Sequence, residues 1–272
     1  MPELPEVETI VNGLRPRILK KKISSVKVID RRILTGISAP SFIKKLAGRS
    51  FKSIVRRAKY IIIALNDGDY LLVHLGMTGG LVYRHKLDKD IKYVKWFIKF
   101  RNGTFLYYID ARLFGEIRIV NDKYIEKLDA KLGPEPLSPE FTFEKFWERL
   151  NKRKGNVKAL LLNQSFISGI GNIYAIESLF MSGISPLRKA HRVTRAEAKK
   201  LHSNIKKVLF KSIGSGGTSV DSYVDSDGEE GSFQFKLKVY SRKGEKCYRC
   251  GGTVKRISLG QRGTYYCPKC QK

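Results

Sequence analysis

Residues 60–75 read YIIIALNDGDYLLVHL, two apolar segments around Asp67-Gly68. Apolar runs separated by an Asp-Gly turn predict a β-hairpin. Residues 95–110, KWFIKFRNGTFLYYID, repeat the plan around Asn102-Gly103. Several such strands in succession imply a sandwich or barrel of about 130 residues. Upstream, residues 2–14 read as a helix. Val7, Ile10, Val11 and Leu14 follow the i, i+3, i+4, i+7 pattern, and Glu3 and Glu6 suit its positive end.

Downstream, KLGPEPLSPEF (131–141) holds three of the nine prolines and is the best linker. Helical patterns dominate after it. Phe143, Phe146, Trp147 and Leu150 share a face, and Thr194 with Glu197 forms a capping box ahead of Leu201, Ile205, Val208 and Leu209. Two further helices flank SGIGN (168–172), a helix–two-turn–helix reading. The expected architecture is a multidomain α+β protein. It has a helix and β-sandwich domain over 1–130, a linker over 131–141, a helical domain over 142–232 and a small finger over 233–272 that holds all four cysteines.

The 272 residues carry 53 Lys+Arg against 25 Asp+Glu, a formal charge of +28. Such a field attracts polyanions and repels copies of itself, so nucleic acid is the expected partner and a monomer the expected state. No apolar run approaches the roughly 20 residues of a membrane span. The start, MPELPEVETI, lacks the basic and apolar regions of a signal peptide. A cytoplasmic protein is expected, with any nucleoid association following from DNA binding.

Cys247, Cys250, Cys267 and Cys270 are the only cysteines, all in the last 26 residues. Two Cys-x-x-Cys knuckles separated by sixteen residues supply four thiolates, the donor set of tetrahedral Zn²⁺. Disulfides or an iron–sulfur site are the weaker readings of this pattern. Four protein ligands leave no open position, so one structural zinc is expected. The segment TVKRISLGQRGTYY between the knuckles reads as a hairpin turning at Gly260-Gln261-Arg262-Gly263, with Arg262 at its tip. In isolation Arg262 reads equally as a solvated turn residue. Residues 233–272 carry eleven Lys/Arg and one Glu, which suits a phosphate backbone.

Read alone, Pro2 and Pro5 are prolines of a first helical turn. Removal of Met1, which a small second residue generally permits, would expose a secondary amine. Free α-amino groups titrate near ~7.7–8.0, so part is nucleophilic at neutral pH. An iminium ion formed from a secondary amine has no N–H proton to lose and keeps its charge. Glu3, beside it, is positioned to act as a proton donor.

Taken together, MPELPEVET, RRAKY, HLGMTG, DARLFG, LGPEPLS, SGIGNIYAIESLF, GSFQFKLKVY and GTYYCPKC resemble, in collinear order along the whole chain, the formamidopyrimidine-DNA glycosylase family. Leu4 stands where the related endonuclease VIII branch typically has glycine. The resemblance implies a bifunctional glycosylase and abasic-site lyase for 8-oxoguanine and formamidopyrimidines in duplex DNA. It implies Pro2 as Schiff-base nucleophile, Glu3 as general acid, and Glu6 as a second acid that holds the opened sugar. Lys59 becomes a phosphate contact assisting β-elimination, and Arg262 the finger arginine assisting δ-elimination. Met77, Arg112 and Phe114 become the set that fills the gap left by a flipped base, although by spacing alone Met77 and Phe114 read as core. DNA contacts are also implied for His74 and Lys158, and for Asn172 as a helix cap meeting a phosphate.

Ser219 and Tyr223 fall in or beside the acidic stretch DSYVDSDGEE (221–230), where the family has a mobile loop over the flipped base. Three positions depart from the family pattern. Tyr93-Val94-Lys95 stands in place of a His-x-His pair, so Lys95 or Tyr93 would have to substitute. Ile176-Glu177 replaces Asp-Glu, and Asn163 replaces Asp. Two other readings remain open: an endonuclease VIII-like enzyme for oxidised pyrimidines, or a non-catalytic zinc-ribbon DNA-binding protein.

Overall fold

The computed structural model describes residues 2–272. The chain divides into two compact units, Met1–Ala130 with Ile213–Gln234, and Lys131–Ser212 with Phe235–Lys272.

The first unit opens with α1 (Leu4–Ile18), followed by β1 (Ile23–Val28), α2 (Ala39–Leu46), β2 (Phe51–Arg57), β3 (Tyr60–Leu65), β4 (Tyr70–His74), β5 (Gly79–Arg84), β6 (Val94–Phe100), β7 (Phe105–Asp110), β8 (Glu116–Val120) and α3 (Asp122–Lys131). Both expected hairpins form: Tyr60 pairs with His74 across β3 and β4, and Val94 with Ile109 across β6 and β7. Two antiparallel four-stranded sheets result, in the orders β1-β6-β7-β5 and β2-β3-β4-β8. Alternate residues of both sheets and one face of α1 share a core that includes Val7, Ile10, Leu14, Ile61, Ile63, Trp96 and Ile98.

The helix differs from its expected span of 2–14. It begins after Glu3 and continues through Pro16 to Ile18. An internal proline forfeits one backbone hydrogen bond. Burial of Ile18, which is fully enclosed, offsets that loss by about 1.5–3 kcal/mol.

The second unit holds α4 (Phe143–Asn151), α5 (Val157–Leu162), α6 (Asn172–Ser182), α7 (Arg195–Ile213) and a hairpin of β9 (Lys255–Leu259) and β10 (Arg262–Tyr266). The capping box of α7 is present: Glu197 N–H donates to Thr194 Oγ1 at 3.3 Å, and Thr194 N–H donates to Glu197 Oε2 at 2.9 Å. Leu201, Ile205, Val208 and Leu209 are buried as their spacing requires.

The helical domain expected over 142–232 does not keep its last part. Ile213–Gln234 packs with the first unit. The cause is local: Thr218 N–H donates to Glu6, and the Tyr223 ring enters the sandwich core.

In the sequence, Glu177 is only one half of an altered acidic pair. In the fold it is buried on α6, and its carboxylate accepts the backbone N–H groups of Lys238, Val239 and Tyr240, each at 2.9 Å. It thereby anchors the segment leading into the cysteine knuckles. Burial pushes this carboxyl up and the three donors pull it back. Glu177→Ala is expected to lower stability by roughly 2–4 kcal/mol, measured by urea denaturation, because it leaves amide donors without an acceptor.

Candidate active site and metal centre

Pro2 is buried and stands immediately before the cap of α1. Glu3 is that cap, with an extended backbone at φ −104° and ψ −170°, and it forms a reciprocal capping box with Glu6. Glu3 N–H donates to Glu6 Oε2 at 2.8 Å, and Thr218 N–H donates to Glu6 Oε1 at 2.8 Å. Glu3 and Glu6 are 2% and 1% exposed, which fixes both carboxyl groups beside the N-terminal residue. Both Glu6 oxygens accept backbone protons, so its role in this structure is to tie the 218 segment to the helix.

Lys59 follows Ala58 in the tight turn joining β2 to β3, where Ala58 has a left-handed φ of 53°. The turn is held to α1 by Arg56, whose guanidinium donates to Glu8 Oε2 at 2.6 Å and to Ala58 O at 3.2 Å. Helix and turn are thus one rigid piece, and Lys59 is itself largely buried, at 8% exposure. His74 packs its ring 4.9 Å from that of Tyr60. Its pKa is lowered by burial and then by the Lys59 charge, so it is a neutral imidazole at pH 7. Gly76 N–H donates to its Nδ1 at 3.3 Å, which leaves the proton on Nε2.

Met77 and Phe114, which spacing alone would put in the core, are exposed, at 37% and 53%. They sit on neighbouring loops, β4–β5 and β7–β8. The Arg112 guanidinium lies 4.8 Å from the centre of the Phe114 ring. Lys95 faces Asp30, Nζ to Oδ2 at 3.9 Å, and Tyr93 is 60% exposed with a left-handed φ of 61°. Of the two proposed substitutes for a His-x-His pair, Tyr93 is therefore the accessible one, and Lys95 is engaged by an acid.

The acidic stretch is ordered along most of its length. Asp225 Oδ1 accepts from the N–H groups of Asp227 and Glu229, and Tyr83 N–H donates to Ser226 O at 2.8 Å. Arg17 of α1 grips the Asp227 carboxylate with both terminal nitrogens, and Arg84 donates to Asp227 O at 2.7 Å. In this structure the loop expected to be mobile is held at 225–228, one arginine pairing with the Asp227 carboxylate and a second binding its backbone carbonyl. Ser219 Oγ–H donates to Tyr223 O at 2.8 Å, and Tyr223 is 6% exposed with its hydroxyl donating to Gly216 O at 3.0 Å. Tyr223 is therefore a buried prop of this loop in this structure. No sequence signal separated a buried prop from a lesion contact, since tyrosine serves as both.

In the second unit the four Sγ atoms lie within 4.8 Å of one another. Cys247 and Cys270 are 3.9 Å apart and Cys250 and Cys267 3.6 Å, close to the edge of about 3.8 Å for a tetrahedron of 2.3 Å Zn–S bonds. Disulfide sulfurs would be about 2.05 Å apart. The four cysteines hold one structural Zn²⁺.

The hairpin above them corrects the expected turn. Arg262 pairs with Leu259, so the turn is the two residues Gly260 and Gln261, with φ of 57° and 58°. Two positive φ values define the tight turn that matches strand twist, and glycine at the first accommodates it without strain. Arg262 stands exposed at the first position of β10. It lines a cleft of about 220 Å³ with Lys158, Asn163 and Gly260.

Two further residues singled out in the sequence bond to the hairpin. Lys158 is fully buried, and its Nζ donates to Thr264 Oγ1 at 2.8 Å, bracing β10 against α5. The cap of α6 is Gly171, and Asn172 is the first helical residue. The Asn172 side chain donates to Gly263 O at 3.0 Å, while its buried Oδ1 has no hydrogen-bond partner. Both residues hold the hairpin from below, which sequence spacing could not show because they lie about 90–106 positions away from it.

The three segments of the chain match, in order, models of the formamidopyrimidine-DNA glycosylase N-terminal domain (residues 1–117), of the H2TH domain of the same enzymes (132–224), and of a zinc finger found in FPG and IleRS (244–272). The chain is 42% identical to the formamidopyrimidine-DNA glycosylase of Solibacter usitatus over 272 residues, covering 100% of both. It is 41% identical to that of Desulfitobacterium hafniense over 275 residues, again covering 100% of both. Among solved structures, it resembles the Lactococcus lactis Fpg in complex with DNA containing an abasic site, at a TM-score of 0.92 and 34% identity over 99% of each chain. It also resembles the wild-type form of that protein in complex with DNA containing a benzyl-Fapy-dG, at 0.92 and 35% over 100% of each. With its sandwich, helical segment and zinc hairpin all matched in order, the chain belongs to the formamidopyrimidine-DNA glycosylase family.

Proposed function

We propose that this base-excision-repair DNA glycosylase removes oxidised purines, 8-oxoguanine and formamidopyrimidines, from duplex DNA by attack of the Pro2 amine on C1′ of the damaged nucleotide. The observation that carries the reading is the junction at the start of α1. There Pro2 is followed by two buried carboxyl groups, each accepting the other residue's backbone N–H, with Glu6 also accepting from Thr218 N–H.

The nitrogen lone pair forms a bond to C1′, and the glycosidic bond breaks with its electron pair leaving on the base, which takes up a proton. Glu3 delivers a proton to the sugar ring oxygen as the ring opens, giving an iminium ion on Pro2. Loss of a C2′ proton then expels the 3′-phosphate, and a second elimination expels the 5′-phosphate. Lys59 and Arg262 supply positive charge to these phosphates as they leave. Met77, Arg112 and Phe114 occupy the duplex where the base has left; extrusion costs a few kcal/mol, which such wedges offset. His74 Nε2–H and Tyr93 serve as further contacts to the backbone. The acting species is a monomer bound to DNA in the cytoplasm. Zinc supplies structure to the hairpin and takes no part in the bond changes.

A panel of duplexes, each with one lesion, tests the substrate class. Excision of 8-oxoguanine opposite cytosine is expected to exceed excision of oxidised pyrimidines by at least about tenfold, since a site that hydrogen-bonds one base edge rejects a base lacking it by that factor or more. Faster cutting of oxidised pyrimidines would instead support the endonuclease VIII-like reading.

A further inference from the structure

Asp110 is the last residue of β7, is fully buried, and carries a carboxylate that the proposed chemistry does not use. Both of its oxygens are engaged, and their donors come from two different loops. Oδ1 accepts from Thr78 Oγ1–H, beside Met77, and from Arg112 N–H at 3.1 Å. Oδ2 accepts from Gly115 N–H, beside Phe114, at 2.8 Å, and from the Tyr108 hydroxyl at 3.4 Å. Thr78 closes the ring by accepting Arg112 N–H at 3.0 Å. Burial and the Asp110 charge push the Tyr108 phenol up, so it remains a donor.

The backbone is fitted to the same junction. A Cβ on Gly76 would collide with Phe114 O, and one on Gly115 would collide with the Tyr108 hydroxyl. At Gly76 the two loops therefore meet backbone to backbone, and Gly115 leaves room for the Tyr108 hydroxyl. Leu113, at φ 58°, turns the chain so that Arg112 and Phe114 share one side.

We propose that Asp110, with Thr78, is the positioning group that welds the Met77 loop to the Arg112–Phe114 loop, so that the three residues enter the duplex as one preset wedge. This rests on the reading of those three residues as the groups that fill the gap. A buried acceptor with four donors holds position far better than a neutral side chain of the same size. The amide of Asn presents only one acceptor oxygen, so Asp110→Asn loses either the Thr78 and Arg112 donors or the Gly115 and Tyr108 donors.

The test measures single-turnover excision of 8-oxoguanine opposite cytosine and, separately, strand cleavage at a preformed abasic site, where no base has to be unstacked. Thr78→Val and Asp110→Asn are expected to slow excision roughly tenfold, as a wedge displaced by a fraction of an ångström would. Abasic cleavage is expected to change by less than about twofold, since nothing at its reacting atoms moves. Thr78→Ser, which keeps the hydroxyl, is expected to restore excision. Equal slowing of both reactions by Thr78→Val, or no slowing, overturns the proposal. Met77→Ala and Arg112→Ala separate it from the reading beneath it. If neither slows excision, the gap-filling assignment fails. If they do and Thr78→Val does not, the positioning role alone fails. Should Asp110→Asn not fold, the Thr78→Val and Thr78→Ser pair decides.

Discussion

A chain that keeps Met1 is expected to give no borohydride-stable adduct with a duplex holding an abasic site, where the processed chain gives one. In the longer chain the proline nitrogen is a tertiary amide, conjugated with the Met1 carbonyl and without a basic lone pair. Strand cleavage is expected to fall on the order of 10³-fold or more, the scale of losing a nucleophile. DNA affinity measured by fluorescence anisotropy is expected to stay within about threefold, because phosphate contacts dominate affinity and lie elsewhere. Pro2→Gly is the milder companion. It leaves a primary amine on a less restricted residue, so binding persists while turnover weakens. The Glu3 and Glu6 lock makes the result informative, since it forms from backbone and side-chain groups C-terminal to Pro2 and survives either change. An adduct formed by a chain shown by mass spectrometry to retain Met1 would move the nucleophile to another amine, with Lys59 the first to examine.

Cys247→Ser is expected to lose zinc and DNA affinity together. The β9–β10 ladder has only two strands, and such a hairpin is marginal by itself in water. Its surroundings include a small cluster of Ile176, Phe180, Val239, Val254 and the buried sulfurs of Cys247 and Cys267. Structural zinc contributes about 10–16 kcal/mol of apparent binding energy in isolated fingers, far more than a cluster of this size supplies. With one thiolate removed, the hairpin no longer holds Arg262, and affinity is expected to fall by roughly ten- to a hundredfold as several phosphate contacts are lost. Metal content, near-ultraviolet dichroism and anisotropy measure the three effects. Arg262→Ala, with zinc retained, isolates the arginine from the scaffold. Full DNA affinity in a zinc-free Cys247→Ser chain would show that the hairpin does not carry binding.

Much of the molecule was legible in its residues. The two hairpins formed around the expected Asp-Gly and Asn-Gly pairs, because alternation and turn chemistry act over a few neighbours. The four cysteines came together because two short knuckles need only one long-range contact between them. Local patterns were less informative where packing competes with propensity. Pro16 was carried inside α1 by the burial of Ile18, and the segment expected at the end of the helical domain went to the sandwich, drawn by Glu6 and the ring of Tyr223.

The division of labour among the polar residues was visible only in three dimensions. Lys158 and Asn172 read along the chain only as polar residues near a helix start, and in space each is hydrogen-bonded to β10 of the zinc hairpin. Glu177 looks like half of a diminished acidic pair and holds three backbone amides. Asp110 is unremarked within DARLFG and gathers both loops of the proposed wedge. Residue type, short spacing and collinear motifs were enough for the hairpins, the metal ligands, the net charge and the family. Which charged groups are spent on the protein's own backbone, and which remain at the surface, emerged with the packed fold. A buried polar group must find its partner wherever the chain places one, and those partners lie from two to more than two hundred residues away.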